Sequence, residues 1–192
     1  MPATYLTAQE LRNRSTLTAG AARSTLMRES KSAADSFDVF LSHSFNDAEV
    51  IYGLRTLLQQ EGLSVYVDWI DDPELDRSRV SPATAERLRN RMRQCQTMIY
   101  ATSRAAGQSR WMPWELGCFD GLRASSRISI LPIESSNTGT FIGQEYLGLY
   151  KAIKNARTVH GLRPHAVLPS GTRAQPLRAF ANATGSGFVD VY

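Results

Sequence analysis

"FDVFLSHSFNDAEVIYGLRTLLQQEGLSVYVDW", residues 37–69, decides the fold class. Its first five residues, FDVFL, are rich in aromatic and β-branched side chains and form a compact run suited to a buried strand. Asn46 and Glu49 then give helix-start signals, and Val50, Ile51, Leu54, Leu57 and Leu58 recur along one helical stripe. Gly62 stands where a helix commonly ends on a glycine, and LSVYVDW (63–69) reads as a second strand. A strand, a helix and a strand in so short a span predict a right-handed βαβ unit.

Outward from this unit the alternation continues. The polar loop IDDPELDRSRVSP (70–82) ends in Ser81-Pro82, an N-cap followed by a proline at the first helical position. The helix after it points Ala85, Leu88, Met92 and Cys95 inward. TMIYATS (97–103) is a third strand, WMPWELGCFDGLRA (111–124) a third helix and RISILPI (127–133) a fourth strand. Beyond Ile133 the pattern weakens. EYLGLYKAI (145–153) reads as a short helix or turn, ARTVH (156–160) as a fifth strand and GTRAQPLRAFANA (171–183) as a closing helix. Towards the N-terminus, Thr7 and Glu10 have capping-box spacing, and SKSAADS (30–36) reads as a linker. The chain therefore divides into a helical extension with linker, 1–35, and a main domain with a C-terminal extension, 36–192. The expected fold is α/β, a flavodoxin-like parallel sheet of about five strands with helices on both faces.

Composition bounds the function. The 192 residues are 42% apolar and 21% charged, ordinary for a globular chain with a sizeable core. No apolar run approaches the ~20 residues of a membrane helix. The first residues lack the apolar centre of a secretion signal, so the expected location is cytoplasmic with no membrane partner. Cys95 and Cys118 are too few for a disulfide scaffold and read as reduced thiols. The net charge of +4 is concentrated in the flanks: residues 1–35 carry +2, 36–150 carry −3 and 151–192 carry +5. Arg87, Arg89, Arg91 and Arg93 alternate with Leu88 and Met92 and have no aromatic stacking platform among them. They read as a solvated helix face, and no nucleic-acid partner is expected.

In a sheet of this kind, ligands bind beyond the carboxyl ends of the strands, near the point where strand order reverses. The segments expected there are SHSFND, DWIDDPELD and SRAAGQSRW, which bring His43, Asp68, Trp111 and Glu115 toward one rim. SHSFND contains no glycine, which removes both the dinucleotide fingerprint and the phosphate-cradling loop. His160 and His165 lack a Cys, Asp or Glu neighbour, so no metal site is expected. No serine sits in a G-x-S-x-G elbow. What remains is SRWMPWELG (109–117), a glutamate behind two tryptophans and a proline. Pro113 suits a first helical turn, and an acid there meets the positive end of the helix dipole. Glu115 is then either a helix-terminus acid or a carboxylate working in a partly dry aromatic slot.

The opening segment together with YATSRAAGQSRWMPWELG (100–117) resembles the Toll/interleukin-receptor (TIR) domain family, in its stand-alone bacterial form. The likeness covers roughly residues 36–160 and rests on a tryptophan four residues before a glutamate, after a third strand. It implies an enzyme that cleaves the nicotinamide–ribose bond of NAD+, with NAD+ as substrate and no further cofactor. Carried over, Glu115 matches the catalytic glutamate and Trp111 the aromatic beside it. Asp68 matches an acidic active-site position, and Ser42, His43, Ser44 and Phe45 fall in the loop lining the pocket. The chain departs from relatives that carry basic residues after the first strand, and from some that have cysteine where Met112 stands. Losing nicotinamide builds positive charge on the ribose, which a close carboxylate stabilises. A tryptophan face suits the cationic nicotinamide ring. The resemblance further implies an ADP-ribose-derived signal in antiphage defence, sensed by a separate effector protein, and self-association through TIR surfaces. The alternative is a non-enzymatic TIR adaptor. A receiver-type domain fits poorly, because Lys31, Lys151 and Lys154 are misplaced for it.

Overall fold

The structure, a computed structural model, describes residues 3–15, 17, 20, 21, 24, 36–43, 48–67, 81–102, 109, 111–134, 143–159, 161–182 and 187–192. In chain order the elements are β1 (Leu6–Thr7), α1 (Ala8–Arg14), β2 (Phe37–His43), α2 (Ala48–Gln60), β3 (Val65–Val67), α3 (Pro82–Arg93) and β4 (Cys95–Thr102). They continue with α4 (Met112–Leu122), β5 (Ile128–Glu134), β6 (Lys151–Thr158), β7 (Gly161–Val167), β8 (Arg173–Pro176), α5 (Leu177–Asn182) and β9 (Val189–Asp190). Short 3-10 turns lie at Ser125–Arg127 and Glu145–Leu149.

The strands form one sheet in the order β3-β2-β4-β5-β6-β7-β8-β9, with β1 paired to β5. β3, β2, β4, β5 and β6 are mutually parallel. Taken in their own sequence order they run 2-1-3-4-5, the flavodoxin-like arrangement expected from the sequence. Strand order reverses between β2 and β4, so the crevice opens above the carboxyl ends of these two strands.

Local chemistry explains most boundaries. Ser81 Oγ accepts the Thr84 N–H at 3.1 Å and Pro82 opens α3. Gly62, at φ +79°, takes the left-handed turn after α2. At the base of β2, Asp38 and Ser64 exchange hydrogen bonds: the Asp38 N–H donates to Ser64 Oγ, and the Ser64 N–H and hydroxyl donate to Asp38 Oδ2. This clasp sets the β2–β3 register.

The C-terminal third differs from its reading. Residues 171–183 do not form one helix: β8 occupies Arg173–Pro176 and only Leu177–Asn182 is helical. Pro176 disfavours helical geometry in the residue before it, and β7 supplies a ladder for the strand. Cys95 opens β4 rather than facing inward from α3. Three antiparallel strands therefore extend the five parallel ones. Lys151 ties this extension to the core. Its ammonium donates to Ser126 O at 2.9 Å and Gln175 Oε1 at 3.0 Å, and lies over the rings of Phe180 and Phe188. Burial, with Arg127 nearby, holds its pKa below the usual lysine range.

Both faces of the parallel sheet are buried. On one, α3 and α4 pack Leu88, Met92, Met112, Leu116 and Phe119 against Phe40, Met98, Tyr100, Ile128 and Ile130. On the other, Val39, Leu41, Ile99, Ala101, Leu131 and Ile133 meet α2, joined by Leu11 of α1 and Leu177, Phe180 and Ala181 of α5. The chain termini thus supply cover that α2 alone does not. The N-terminal segment also enters the sheet. β6 pairs with β5 only at Ser129–Lys151 and Ile130–Ala152. Where these strands part, Leu6 and Thr7 pair with Ile133 and Glu134, and Thr4 exchanges two backbone hydrogen bonds with Asn155. α1 then starts at the Thr7–Glu10 capping box. The linker reading at 30–35 lies outside the described residues.

α1 crosses α2 at Gly53, where an added Cβ would run into the Leu11 carbonyl oxygen. In an open helix Gly→Ala stabilises by about 1 kcal/mol. Here Gly53→Ala is expected to destabilise by about 1–3 kcal/mol, because backbone must move. Urea denaturation of the two proteins checks the sign.

Candidate active site

Glu115 lies in the first turn of α4, whose N-cap is Trp111. Ser109 Oγ accepts the Met112 N–H at 3.3 Å, Pro113 occupies the first turn, and the Glu115 N–H bonds Trp111 O at 2.8 Å. Leu116 and Phe119 anchor the helix in the core, which turns Glu115 down onto the sheet. There it meets Ser42, the sixth residue of β2. The Ser42 hydroxyl donates to Glu115 Oε2 at 2.6 Å, and both residues are 0% exposed. The positive end of the α4 dipole adds to this stabilisation of the carboxylate.

Trp111 is 9% exposed and meets Trp114 edge to face, with centroids 5.4 Å apart. Arg89 of α3 lies over the Trp114 ring and also pairs with Glu86, as does Arg93. Arg91 lies over Tyr66. Arg89, Arg91 and Arg93 are therefore engaged within the protein. Around Glu115 stand Trp111 four residues before it, the N-terminus of α4 and the Ser42 hydroxyl. A buried carboxylate in that setting suits a substrate group carrying positive charge.

Ser42 converges with Glu115, which the sequence had already paired with Trp111. His43 does not join them. It ends β2 and is buried, and strand alternation turns it with Leu41 toward the α2 face, away from Ser42. Asp68, Ser44 and Phe45 lie outside the described residues, as does His160. His165 is engaged at both ring nitrogens, with Thr158 Oγ1 and Arg163 O.

Tyr100 beside this site, and Tyr150 on the same core face, were not singled out from sequence. Tyr100 is the register partner of Ser42 on β4 and belongs to the same core face as α4. Burial, then contact with Tyr146, then the Glu115 charge push its phenol well above the ordinary range. Burial and Asp120, whose Oδ2 accepts the Tyr150 hydroxyl at 3.1 Å, raise the Tyr150 phenol as well. The only sequence signal for Tyr100 was its place two residues before the end of a strand adjoining the switch point.

The profile of the TIR domain family matches residues 39–158, more than half of the chain. The protein belongs to that family. Among curated relatives, it is 48% identical over 125 residues to a probable 3' cyclic ADP-D-ribose synthase, ThsB', of Bacillus cereus (strain MSX-D12), the match covering 65% of this chain and 64% of that one. It is 32% identical over 81 residues to a putative cyclic ADP-D-ribose synthase, TIR2, of Cytobacillus dafuensis, covering 42% of this chain and 21% of the relative. The match thus spans just under two thirds of the first relative and about a fifth of the second.

Because the folded pKa of Tyr100 and Tyr150 is raised, the stability they contribute is complete below the unfolded tyrosine value near 10 and is lost as pH climbs from there toward the folded values. The urea midpoint is expected to fall above about pH 10, less steeply in Tyr100→Phe. Phenolate absorbance at 295 nm should show at least one tyrosine that resists ionisation in the folded protein and titrates normally in urea.

Proposed function

We propose that the protein cleaves the nicotinamide–ribose bond of NAD+ and releases an ADP-ribose-derived, cyclic product. The observation that carries this reading is a fully buried Glu115, held by Ser42 at a helix N-terminus beside Trp111. The printed names of both relatives, cyclic ADP-D-ribose synthases, support it.

The nicotinamide ring of NAD+ carries the positive charge before cleavage, and the indole of Trp111 offers it a flat electron-rich face. As the C1–N bond breaks, its electron pair stays on the ring nitrogen and the charge passes to the ribose. Glu115 then faces an oxocarbenium-like centre, in a dry slot where a carboxylate acts far more strongly than in water. Nicotinamide leaves neutral and needs no proton, so one acid suffices. A hydroxyl of the remaining nucleotide, or water, bonds to the same carbon and its proton passes through Glu115 to solvent. The Ser42 hydrogen bond fixes which carboxylate oxygen faces the sugar.

In this reading Asp68, Ser44 and Phe45 also take part in binding NAD+, and His43 supports the rim from the other face. No helix among the described residues is long and apolar enough to cross a membrane. We place the enzyme in the cytoplasm, acting on free NAD+ without a further cofactor. Its product is a signal in antiphage defence, sensed by a separate effector, and TIR surfaces bring copies together.

Purified wild type is expected to consume NAD+ and release nicotinamide, read by mass spectrometry. Glu115→Gln should lower kcat/KM by at least ~100-fold. Trp111→Ala should lower it by ~2- to 30-fold, from the loss of the cation–π contact. A wild type that leaves NAD+ intact, alone and in lysate of phage-infected cells, would instead favour the adaptor reading.

A further inference from the structure

The diphosphate of NAD+ carries two negative charges, and the Glu115 carboxylate repels them from the sheet side of the site. The loop after β2, SHSFND (42–47), holds neither lysine nor arginine to meet a diphosphate. A cation stands instead beside the aromatic pair of α4. Trp111 and Trp114 meet edge to face with centroids 5.4 Å apart, and the Arg89 guanidinium of α3 lies 5.4 Å from the Trp114 centroid. Two equal steps thus lead from the indole proposed for nicotinamide to a positive charge on the neighbouring helix. In NAD+ the nearer phosphorus is six bonds from the nicotinamide nitrogen, a span of about 8 Å when extended. A diphosphate attached to a nicotinamide on Trp111 comes within reach of Arg89.

We propose that Arg89 binds the diphosphate of NAD+, with Trp114 as the positioning residue that carries its guanidinium. The inference rests on the NAD+ site proposed above and names the group that anchors the rest of the substrate there. Arg89 is placed for a handover. Its side chain is 38% exposed, and its acid partner Glu86, 3.2 Å away on the same helix, is 55% exposed. An ion pair so open to water adds little to stability, so a phosphate displaces it at small cost. The exchange does not strand Glu86. Arg89 donates to Glu86 Oε2, while Arg93 donates to the other oxygen, Oε1, at 3.3 Å. Trp114 packs against the core cluster that contains Leu116 and Phe119, which fixes its ring beside the guanidinium. Over an indole face a guanidinium gains a cation–π contact without using up its N–H donors, which remain for a bidentate phosphate bond.

The test pairs steady-state kinetics on NAD+ with calorimetry of ADP, which has the diphosphate and no nicotinamide. Arg89→Gln is expected to raise KM for NAD+ about five- to thirty-fold and to weaken ADP binding by a similar factor, with kcat within about two-fold of wild type. Inhibition by nicotinamide, which has no phosphate, should stay as it is. Arg89→Lys keeps the charge without the fork and should recover part of the loss. Glu86→Gln removes the competitor for Arg89 and should lower KM and tighten ADP binding about two-fold, a gain that damage to the fold does not produce. Unchanged KM and ADP affinity in Arg89→Gln would overturn the inference and leave the diphosphate to another cation, such as Arg104 or Arg110, which lie outside the described residues. A fall in kcat with KM unchanged would overturn it as well, and so would a wild type that cleaves NAD+ and does not bind ADP. A wild type that releases no nicotinamide would remove the cleavage reading, and ADP calorimetry of wild type and Arg89→Gln would still decide whether Arg89 holds a diphosphate.

Discussion

A parallel sheet built from crossovers has no face that can be left in water, and most of this protein follows from that constraint. β2, β4 and β5 are apolar on both sides, so each side needs helices. The connections back across the sheet put α3 and α4 on one face and leave α2 as the crossover helix on the other. The remaining apolar surface around Leu131, Ile133 and Ile153 is closed by residues from the two ends of the chain, Leu6 and Leu11 on one side and Leu177 and Phe180 on the other. The N-terminal segment goes further and occupies the split between β5 and β6, so that strands diverging at the rim do not leave open backbone groups.

The same burial creates the chemistry. A carboxylate enclosed by a packed sheet and helix must be hydrogen-bonded or it destabilises the fold. Ser42 helps to meet that requirement with a neutral donor, and the helix N-terminus contributes a partial positive charge. Neither is a full cation. Glu115 is therefore held well enough to remain buried. An arginine in place of Ser42 would stabilise the carboxylate more and leave less of its field for a cationic sugar. The packing that holds α4 on β2 and the geometry that the proposed cleavage needs are one arrangement.

Much of this was legible in the chain. The stripe of Val50, Ile51, Leu54, Leu57 and Leu58, the Ser81-Pro82 start, the Gly62 stop and the Thr7–Glu10 capping box are local signals. Each is set by the 3.6-residue period or by the chemistry of one turn, and each is found where it was read. Glu115 and Trp111 were legible because four-residue spacing on a helix start puts them on one side of it. His43 was read with the loop after the first strand, although β2 runs through it. Once the strand is extended, the two-residue period separates His43 from Ser42. Tyr100 was hidden for a related reason. On a strand buried on both faces, a tyrosine among Met98, Ile99 and Ala101 looks like any other core residue.

What the sequence alone determined is the order of elements, the parallel βαβ core and the placing of Glu115 behind Trp111 at a helix start. Periodicity and capping act over a few residues and need no distant partner. Tertiary structure alone decided that residues 4–7 lie between β5 and β6, that Gln175 belongs to a strand rather than a helix, and that Ser42 holds Glu115 from 73 residues away. Those outcomes depend on which backbone edge is open and which buried polar atom lacks a partner after the sheet has formed. No local signal carries that information, because the competition is settled between segments that meet only in the folded protein.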